Sequence, residues 1–164
     1  IPELNQEILI VTEAGREEEV ITRLARVGYD FSLGYLEGGL SAWAKEGLEL
    51  DSLNSVSPTQ FAQIIQTEAI EVLDVRKRSE YEVQHVDKEY VMNFPLASIS
   101  ENMEKVNRDK TYYIHCAGGY RSVIAASILK SRGFDKLIDI EEGFEGIQNT
   151  AIATTAFVCP STLL

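Results

Sequence analysis

Thr111-Tyr112-Tyr113-Ile114-His115-Cys116-Ala117-Gly118-Gly119-Tyr120-Arg121-Ser122 divides into three pieces. Residues 111–115 are rich in β-formers and predict a strand. Residues 116–121 predict a loop, because Gly118 and Gly119 let the backbone curl with its N–H groups inward. From Ser122 onward, Val123, Ala126, Ile128 and Leu129 predict the inner face of a helix that runs to about residue 132 and stops at Gly133. This order puts Cys116 at the carboxyl end of a strand, facing the positive end of a helix dipole. Arg121 adds a full positive charge. All three effects favour thiolate over thiol, and the thiolate is the nucleophile. Alone, a cysteine at a strand end reads as a small buried hydrophobe. The Gly-Gly pair, the arginine and the strand-to-helix position favour the reactive reading.

Working outward, Ser57-Pro58 predicts the N-cap and first position of a helix reaching residue 66. Residues 69–75, 90–94 and 137–140 predict strands, the second stopped by Pro95. Residues 79–83, 98–105 and 143–148 predict short helices. Strands alternating with helices predict an α/β fold with a parallel sheet covered on both faces. Ligands of such sheets sit at the carboxyl ends of the strands. The loop at 116–121 lies at that end.

Asp74-Val75-Arg76, Ser79-Glu80-Tyr81, His85-Val86, Asn93-Phe94-Pro95-Leu96, Cys116 with Gly119-Tyr120-Arg121-Ser122, Ala125-Ala126, Leu129, Gly133-Phe134 and Glu142-Gly143-Phe144 occur in the order that resembles rhodanese-like domains. The resemblance spans residues 57–150. It implies the rhodanese-like three-layer fold with a five-stranded parallel sheet. It also implies a sulfurtransferase. Cys116 would take a sulfane sulfur from an anionic donor (thiosulfate or a low-molecular-weight persulfide), hold it as a covalent persulfide, and pass it to a thiophilic acceptor such as a thiol or cyanide. No cofactor is implied beyond that persulfide. By position, Ala117, Gly118, Gly119, Tyr120 and Ser122 would form the persulfide cradle. Arg121 would help bind the donor, and Asp74 and Arg76 would brace the loop. The chain departs from the pattern at Gln84, where a glycine is usual, at Asp87-Lys88-Glu89, at Glu142 in place of a glycine, and at Ile147 in place of a tryptophan.

Two rival readings remain. A Cys-dependent phosphatase or arsenate reductase also sets Cys and Arg around a helix N-terminus. Here four residues separate Cys116 from Arg121. Protein-tyrosine phosphatase loops hold one more, which widens the cradle for phosphate. A non-catalytic binding module is the other rival, and the presence of Cys116 weighs against it.

The chain also resembles itself. Arg16 and Arg121, Gly28 and Gly133, Asp30 and Asp135, Glu37 and Glu142, and Gly38 and Gly143 share one offset of 105 (121 − 16). Such a repeat predicts a duplication. Residues 7–12 then predict a strand, 16–27 a helix capped by Gly28, 31–33 a strand and 39–45 a helix around Trp43. Residues 1–50 read as the back half of a truncated repeat, 51–56 as a linker, 57–150 as the catalytic domain and 151–164 as an apolar tail. Val11 stands where Cys116 stands, and Glu13, Glu17, Glu18 and Glu19 surround it, so the first copy reads as inert. Its stretches at 23–30 and 34–39 resemble fusions of a metallo-β-lactamase-fold hydrolase with rhodanese domains. That implies a metal-binding domain upstream of Ile1. The half-domain is expected to pack on the second copy or on another chain, as in a homodimer.

The chain of 164 residues is 45% apolar and 25% charged, the composition of a globular protein. Its net charge of −11 argues against nucleic acid and against anionic membranes. No apolar run approaches the roughly 20 residues of a spanning helix. Two cysteines without C-x-x-C spacing fit a reducing cytoplasm. Two histidines and two cysteines give no metal spacing. Strand alternation sends His115 to the face opposite Cys116. His85 reads as structural, Cys159 as a tail thiol and Tyr120 as a residue that shapes donor access.

Overall fold

The computed structural model describes residues 1 and 3–162. The chain divides into two compact units, Ile1–Ser52 and a larger one beginning at Leu53.

The first unit contains β1 (Ile8–Ile10), α1 (Glu17–Arg26), β2 (Ser32–Tyr35) and α2 (Gly39–Lys45). Its two strands pair in parallel. Gly28, at φ +89, closes α1 in the left-handed conformation that glycine adopts without a Cβ penalty. Leu9 of β1 and Leu33 of β2 are 77% and 61% exposed.

The second unit contains β3 (Asn54–Val56), α3 (Pro58–Thr67), β4 (Glu71–Asp74), α4 (Arg78–Val83), β5 (Val91–Asn93), β6 (Tyr112–His115), α5 (Tyr120–Lys130), β7 (Leu137–Ile140) and α6 (Gly143–Gln148). Five parallel strands form one sheet in the order β3-β7-β6-β4-β5. One face is packed by α5 through Ala125, Ala126 and Leu129, together with Phe94, Ile99 and Phe134. The other is packed by Phe61 of α3 and by Phe144 and Ile147 of α6. With both faces covered, the central strands β4, β6 and β7 are buried on both sides rather than on alternate residues. Ser57 caps α3 in a reciprocal box with Gln60: its Oγ accepts the Gln60 N–H at 3.2 Å, and the Gln60 side chain accepts the Ser57 N–H at 2.9 Å.

Four expectations change. Residues 54–56 are not linker but the fifth strand, on the sheet edge beside β7. They are too short and too polar to announce themselves by pattern. The helix expected over 98–105 is two 3₁₀ turns, Leu96–Ser98 and Met103–Lys105. α5 begins at Tyr120, so Tyr120 and Arg121 belong to its first turn and not to the loop. Its buried face is Ser122, Ala125, Ala126 and Leu129, a strict i, i+3, i+4, i+7 row, and Val123 is 48% exposed. Residues 151–158 are not a loose tail. Ile152 is buried, Val86 bridges Thr154, the Thr155 N–H donates to the His85 carbonyl at 2.9 Å, and the Val158 N–H to that of Val83 at 2.8 Å. Residues 163 and 164 lie outside the described residues.

Residues 8–45 and 112–148 share an element order, strand–helix–strand–helix, and β2 precedes β7 by 105 residues (137 − 32). Beyond β2 the offset drops to 104 (143 − 39), because α2 starts at Gly39 and α6 at Gly143. The left-handed pair Gly38 and Gly39, at φ +74 and +57, corresponds to Glu142 and Gly143 at +58 and +56. The match of Glu37-Gly38 to Glu142-Gly143 is therefore one residue out of register.

Candidate active site

The chain leaves β4 toward β5 on one side and leaves β6 toward β7 on the other. The strand order thus reverses between β4 and β6, the switch point at which ligands of open parallel sheets bind. Asp74 and His115 are register partners there. Cys116 follows immediately, its side chain on the α5 face with Ile114 and Tyr112.

Cys116 is 1% exposed. The Gly119 N–H donates to its Sγ at 3.2 Å, and the Ser122 Oγ lies 3.8 Å away. Gly119 caps α5 at φ +95, a conformation that turns its N–H back onto the sulfur. The loop is fixed from below. Phe144 N–H donates to the Cys116 carbonyl at 2.7 Å and Glu145 N–H to the Ala117 carbonyl at 3.0 Å. Gly143 makes this approach feasible, since a Cβ there would stand 2.5 Å from the Cys116 oxygen. Ala117 and Gly118 continue the curl, and Tyr120 projects into solvent, 80% exposed.

Arg121 does not present a free cation. Its two terminal nitrogens donate to both oxygens of Glu80 at 2.6 and 2.8 Å, a bidentate pair. That hydrogen bond foremost holds the Glu80 carboxyl below its usual range, and it raises Arg121 further. The spacing of Glu80 and Arg121 in sequence gave no sign of this contact.

Asp74 and Arg76 form a buried pair, with Nη2 to Oδ2 at 2.6 Å. Arg76 also donates to the Gln84 carbonyl at 2.9 Å and lies 4.0 Å over the Phe144 ring. Arg76 thus contacts Phe144, the residue whose N–H donates to the Cys116 carbonyl. His115 is fully buried on the opposite face from Cys116, its Nδ1 3.1 Å from the Cys116 carbonyl and its Nε2 3.8 Å from Asp74. Burial foremost pushes its pKa down, which favours the neutral ring. His85 stacks on Tyr81 at 3.7 Å and has a structural role.

Gln84 earns its place through the C-terminal segment. Its amide donates to Thr154 Oγ1 and to the Thr155 carbonyl, both at 3.1 Å, and its carbonyl accepts from Gln148 at 2.8 Å. Cys159 is exposed, with its Sγ 3.0 Å from Ser161 Oγ. Among the described residues, no group of three or more His, Cys, Asp or Glu side chains is placed to hold a metal ion. No helix among them is long and apolar enough to cross a membrane.

Residues 57–150 match the rhodanese-like domain, more than half of the chain. The chain belongs to the rhodanese-like family. It is 33% identical over 93 residues to the putative sulfur carrier protein YrkF of Bacillus subtilis, covering 56% of this chain and 49% of that protein. It is 26% identical over 90 residues to the thiosulfate sulfurtransferase GlpE of Coxiella burnetii, covering 55% of this chain and 82% of that one. The chain thus spans about half the length of the Bacillus subtilis relative. Among solved structures, the rhodanese-like domain protein of Staphylococcus aureus shares the fold, with a TM-score of 0.55 at 22% identity over 63% of this chain and 100% of that one. The rhodanese-related protein of Thermoplasma volcanium gives 0.54 at 25% identity, over 62% and 97%. The family and relatives with sulfurtransferase names support a sulfur-transfer role in general terms.

Proposed function

We propose that Cys116 is the sulfur carrier of a rhodanese-type sulfurtransferase. The observation that carries this reading is the Gly119 N–H on Sγ at 3.2 Å, at the strand-order reversal of a parallel sheet. A hydrogen bond to a charged group contributes about 1.5–3 kcal/mol, so the bond favours a sulfur anion before and after transfer. The Cys116 thiolate attacks the outer sulfur of thiosulfate or of a persulfide. A sulfur–sulfur bond forms on Cys116, the donor's bond to that sulfur breaks, and sulfite or a thiolate leaves with the electron pair. An acceptor nucleophile (a thiolate or cyanide) then attacks the outer sulfur, and Cys116 leaves as thiolate. Because the thiol lies below the surface, a single projecting sulfur suits the loop better than a phosphoryl group. Residues 1–52, with Val11 at the position of Cys116, serve a structural role and carry no transfer chemistry. The setting is proposed to be cytoplasmic.

The test is intact-protein mass after brief exposure to thiosulfate and, separately, to glutathione persulfide, alongside Cys116→Ser. The expected result is the gain of one sulfur that cyanide removes and that Cys116→Ser lacks. No gain from either donor refutes the reading in favour of a binding module.

A further inference from the structure

α5 is apolar on two sides. Ser122, Ala125, Ala126 and Leu129 make its buried face. Tyr120, Val123 and Ile124 are exposed, and their i, i+3, i+4 spacing sets them side by side as one row on the helix surface. Apart from Phe157 and Val158, these are the large apolar side chains that the second unit exposes among its described residues. Single exposed apolar residues need no explanation, but a contiguous row beside a reactive group does. The row begins at Tyr120, next to Gly119, whose N–H donates to Cys116 Sγ.

The opposite flank of the loop is acidic. Glu142 and Glu145, where α6 begins, are exposed, and neither has an ion-pair partner among the described residues. Glu145 reaches the loop itself: its Oε2 lies 3.7 Å from the point where a Cβ on Gly118 would stand. The backbone nitrogen of Glu142 lies 3.6 Å from the corresponding point on Gly119. Arg121 is the one cation in residues 116–123 and 142–146, and Glu80 already holds it in a bidentate pair. Apolar and acidic flanks therefore meet at Gly118 and Gly119, over the sulfur. Such a rim repels anions and draws cations.

We propose that the sulfur acceptor of this centre is a cysteine on a basic, apolar segment of a partner protein. Its aliphatic side chains lie along Tyr120, Val123 and Ile124, and its lysine or arginine side chains meet Glu142 and Glu145. The assignment rests on the sulfur-transfer reading. The row runs a full helical turn, about 5.4 Å, away from the loop, farther than a small thiol extends while its sulfur is engaged. In the transfer, the acceptor thiolate attacks the outer sulfur of the Cys116 persulfide. A sulfur–sulfur bond forms on the acceptor, the bond to Cys116 Sγ breaks, and Cys116 leaves with the electron pair as thiolate. The proton on the outer sulfur travels with it, and no oxidant or reductant takes part.

The probes are two peptide amides, Leu-Lys-Cys-Leu-Lys and Leu-Glu-Cys-Leu-Glu, with cysteamine as a small cationic thiol. Cys159→Ser protein is loaded with glutathione persulfide, and discharge of the Cys116 persulfide is followed by intact-protein mass, with rates compared per thiolate. The lysine peptide is expected to react about tenfold faster than the glutamate peptide at low ionic strength. Glu142→Gln with Glu145→Gln is expected to cut that ratio to about twofold, and so is salt at about 1 M, where the Debye length is about 3 Å. A loosened fold would slow both peptides and leave their ratio intact. Val123→Ser with Ile124→Ser is expected to slow both peptides about fivefold relative to cysteamine. Equal rates for the two peptides overturn the proposal. So does cysteamine matching the lysine peptide, which makes the partner a small cation. If no sulfur loads, the sulfurtransferase reading fails. The surface is then judged by the rate at which the Cys116 thiolate takes the same peptides as thiopyridyl disulfides, where the tenfold ratio supports it and equal rates overturn it.

Discussion

Gly143 supports the loop that begins at Cys116, and replacing it with alanine tests that statement. The new Cβ would lie 2.5 Å from the Cys116 carbonyl oxygen, 2.6 Å from that of Ala117 and 2.8 Å from the Ala117 carbonyl carbon. All three are backbone atoms, so no side chain can turn away. The residue also sits at φ +56, where a Cβ costs roughly 1–2 kcal/mol. Overpacking adds about 1–3 kcal/mol. Relief requires the loop to lift, which stretches the bonds from Phe144 and Glu145 N–H at about 1 kcal/mol each. Gly143→Ala is therefore expected to lose about 3 kcal/mol or more, and to lose sulfur loading as Cys116 shifts. The assay is urea unfolding followed by far-UV circular dichroism, read as a lower midpoint at constant slope. Tryptophan fluorescence does not serve, because the sole tryptophan, Trp43, lies in the other unit. Gly118→Ala is the control. Its nearest neighbour is the flexible Glu145 carboxylate at 3.7 Å, and a change within about 0.5 kcal/mol is expected. A loss below about 1 kcal/mol at Gly143 would refute the reasoning.

Arg76→Ala strands the fully buried Asp74 without its partner and is expected to cost about 3–5 kcal/mol in urea unfolding; a loss like that of an exposed residue contradicts the pairing argument. Burial lowers the pKa of His115 in the fold, while the unfolded ring takes a proton below its ordinary value of 6.5. The unfolded state then binds more protons, so stability is full above that pH and falls below it, by at most about 1.4 kcal/mol per pH unit. Midpoints measured on either side of pH 6.5 should show this slope, and His115→Asn should flatten it. Glu80→Gln removes the carboxylate that offsets Arg121, so sulfur loading from the thiosulfate dianion should rise at low ionic strength, with the gain shrinking as salt screens it. Loading from an uncharged sulfane-sulfur donor, a neutral dialkyl trisulfide, should stay constant; equal changes for both donors would argue against a charge effect.

The fold was legible where periodicity and breakers coincide. Ser57-Pro58 opened α3, Gly133 closed the segment after α5, and residues 137–140 were bounded correctly by pattern alone. β3 was not legible, since Asn54-Ser55-Val56 has neither alternation nor length and becomes a strand by pairing with β7. The candidate site was legible as far as it is local. Cys116 and the residues up to Ser122 lie within one turn of chain, and Gly119 N–H meets the sulfur as a strand–Gly-Gly–helix order dictates. Contacts between distant segments were hidden. Glu80 closes on Arg121 and Gln84 reaches Thr154 and Thr155, joining residues that no spacing rule relates.

Glu142 shows how a departure from pattern can be read once the backbone is known. It is the only described residue other than glycine at positive φ, at +58, and in the first unit the same position is Gly38 at +74. The conformation is thus demanded by the turn entering α6, not by the residue. The turn sets Gly143 against the Cys116 carbonyl and delivers Phe144 N–H to it. A glutamate in the left-handed region costs roughly 1–2 kcal/mol relative to the right-handed one. That strain lies next to the loop that holds Cys116, the proposed sulfur carrier, and strained backbone tends to concentrate at functional sites. The geometry of Cys116 therefore depends as much on the turn between β7 and α6 as on the loop it belongs to.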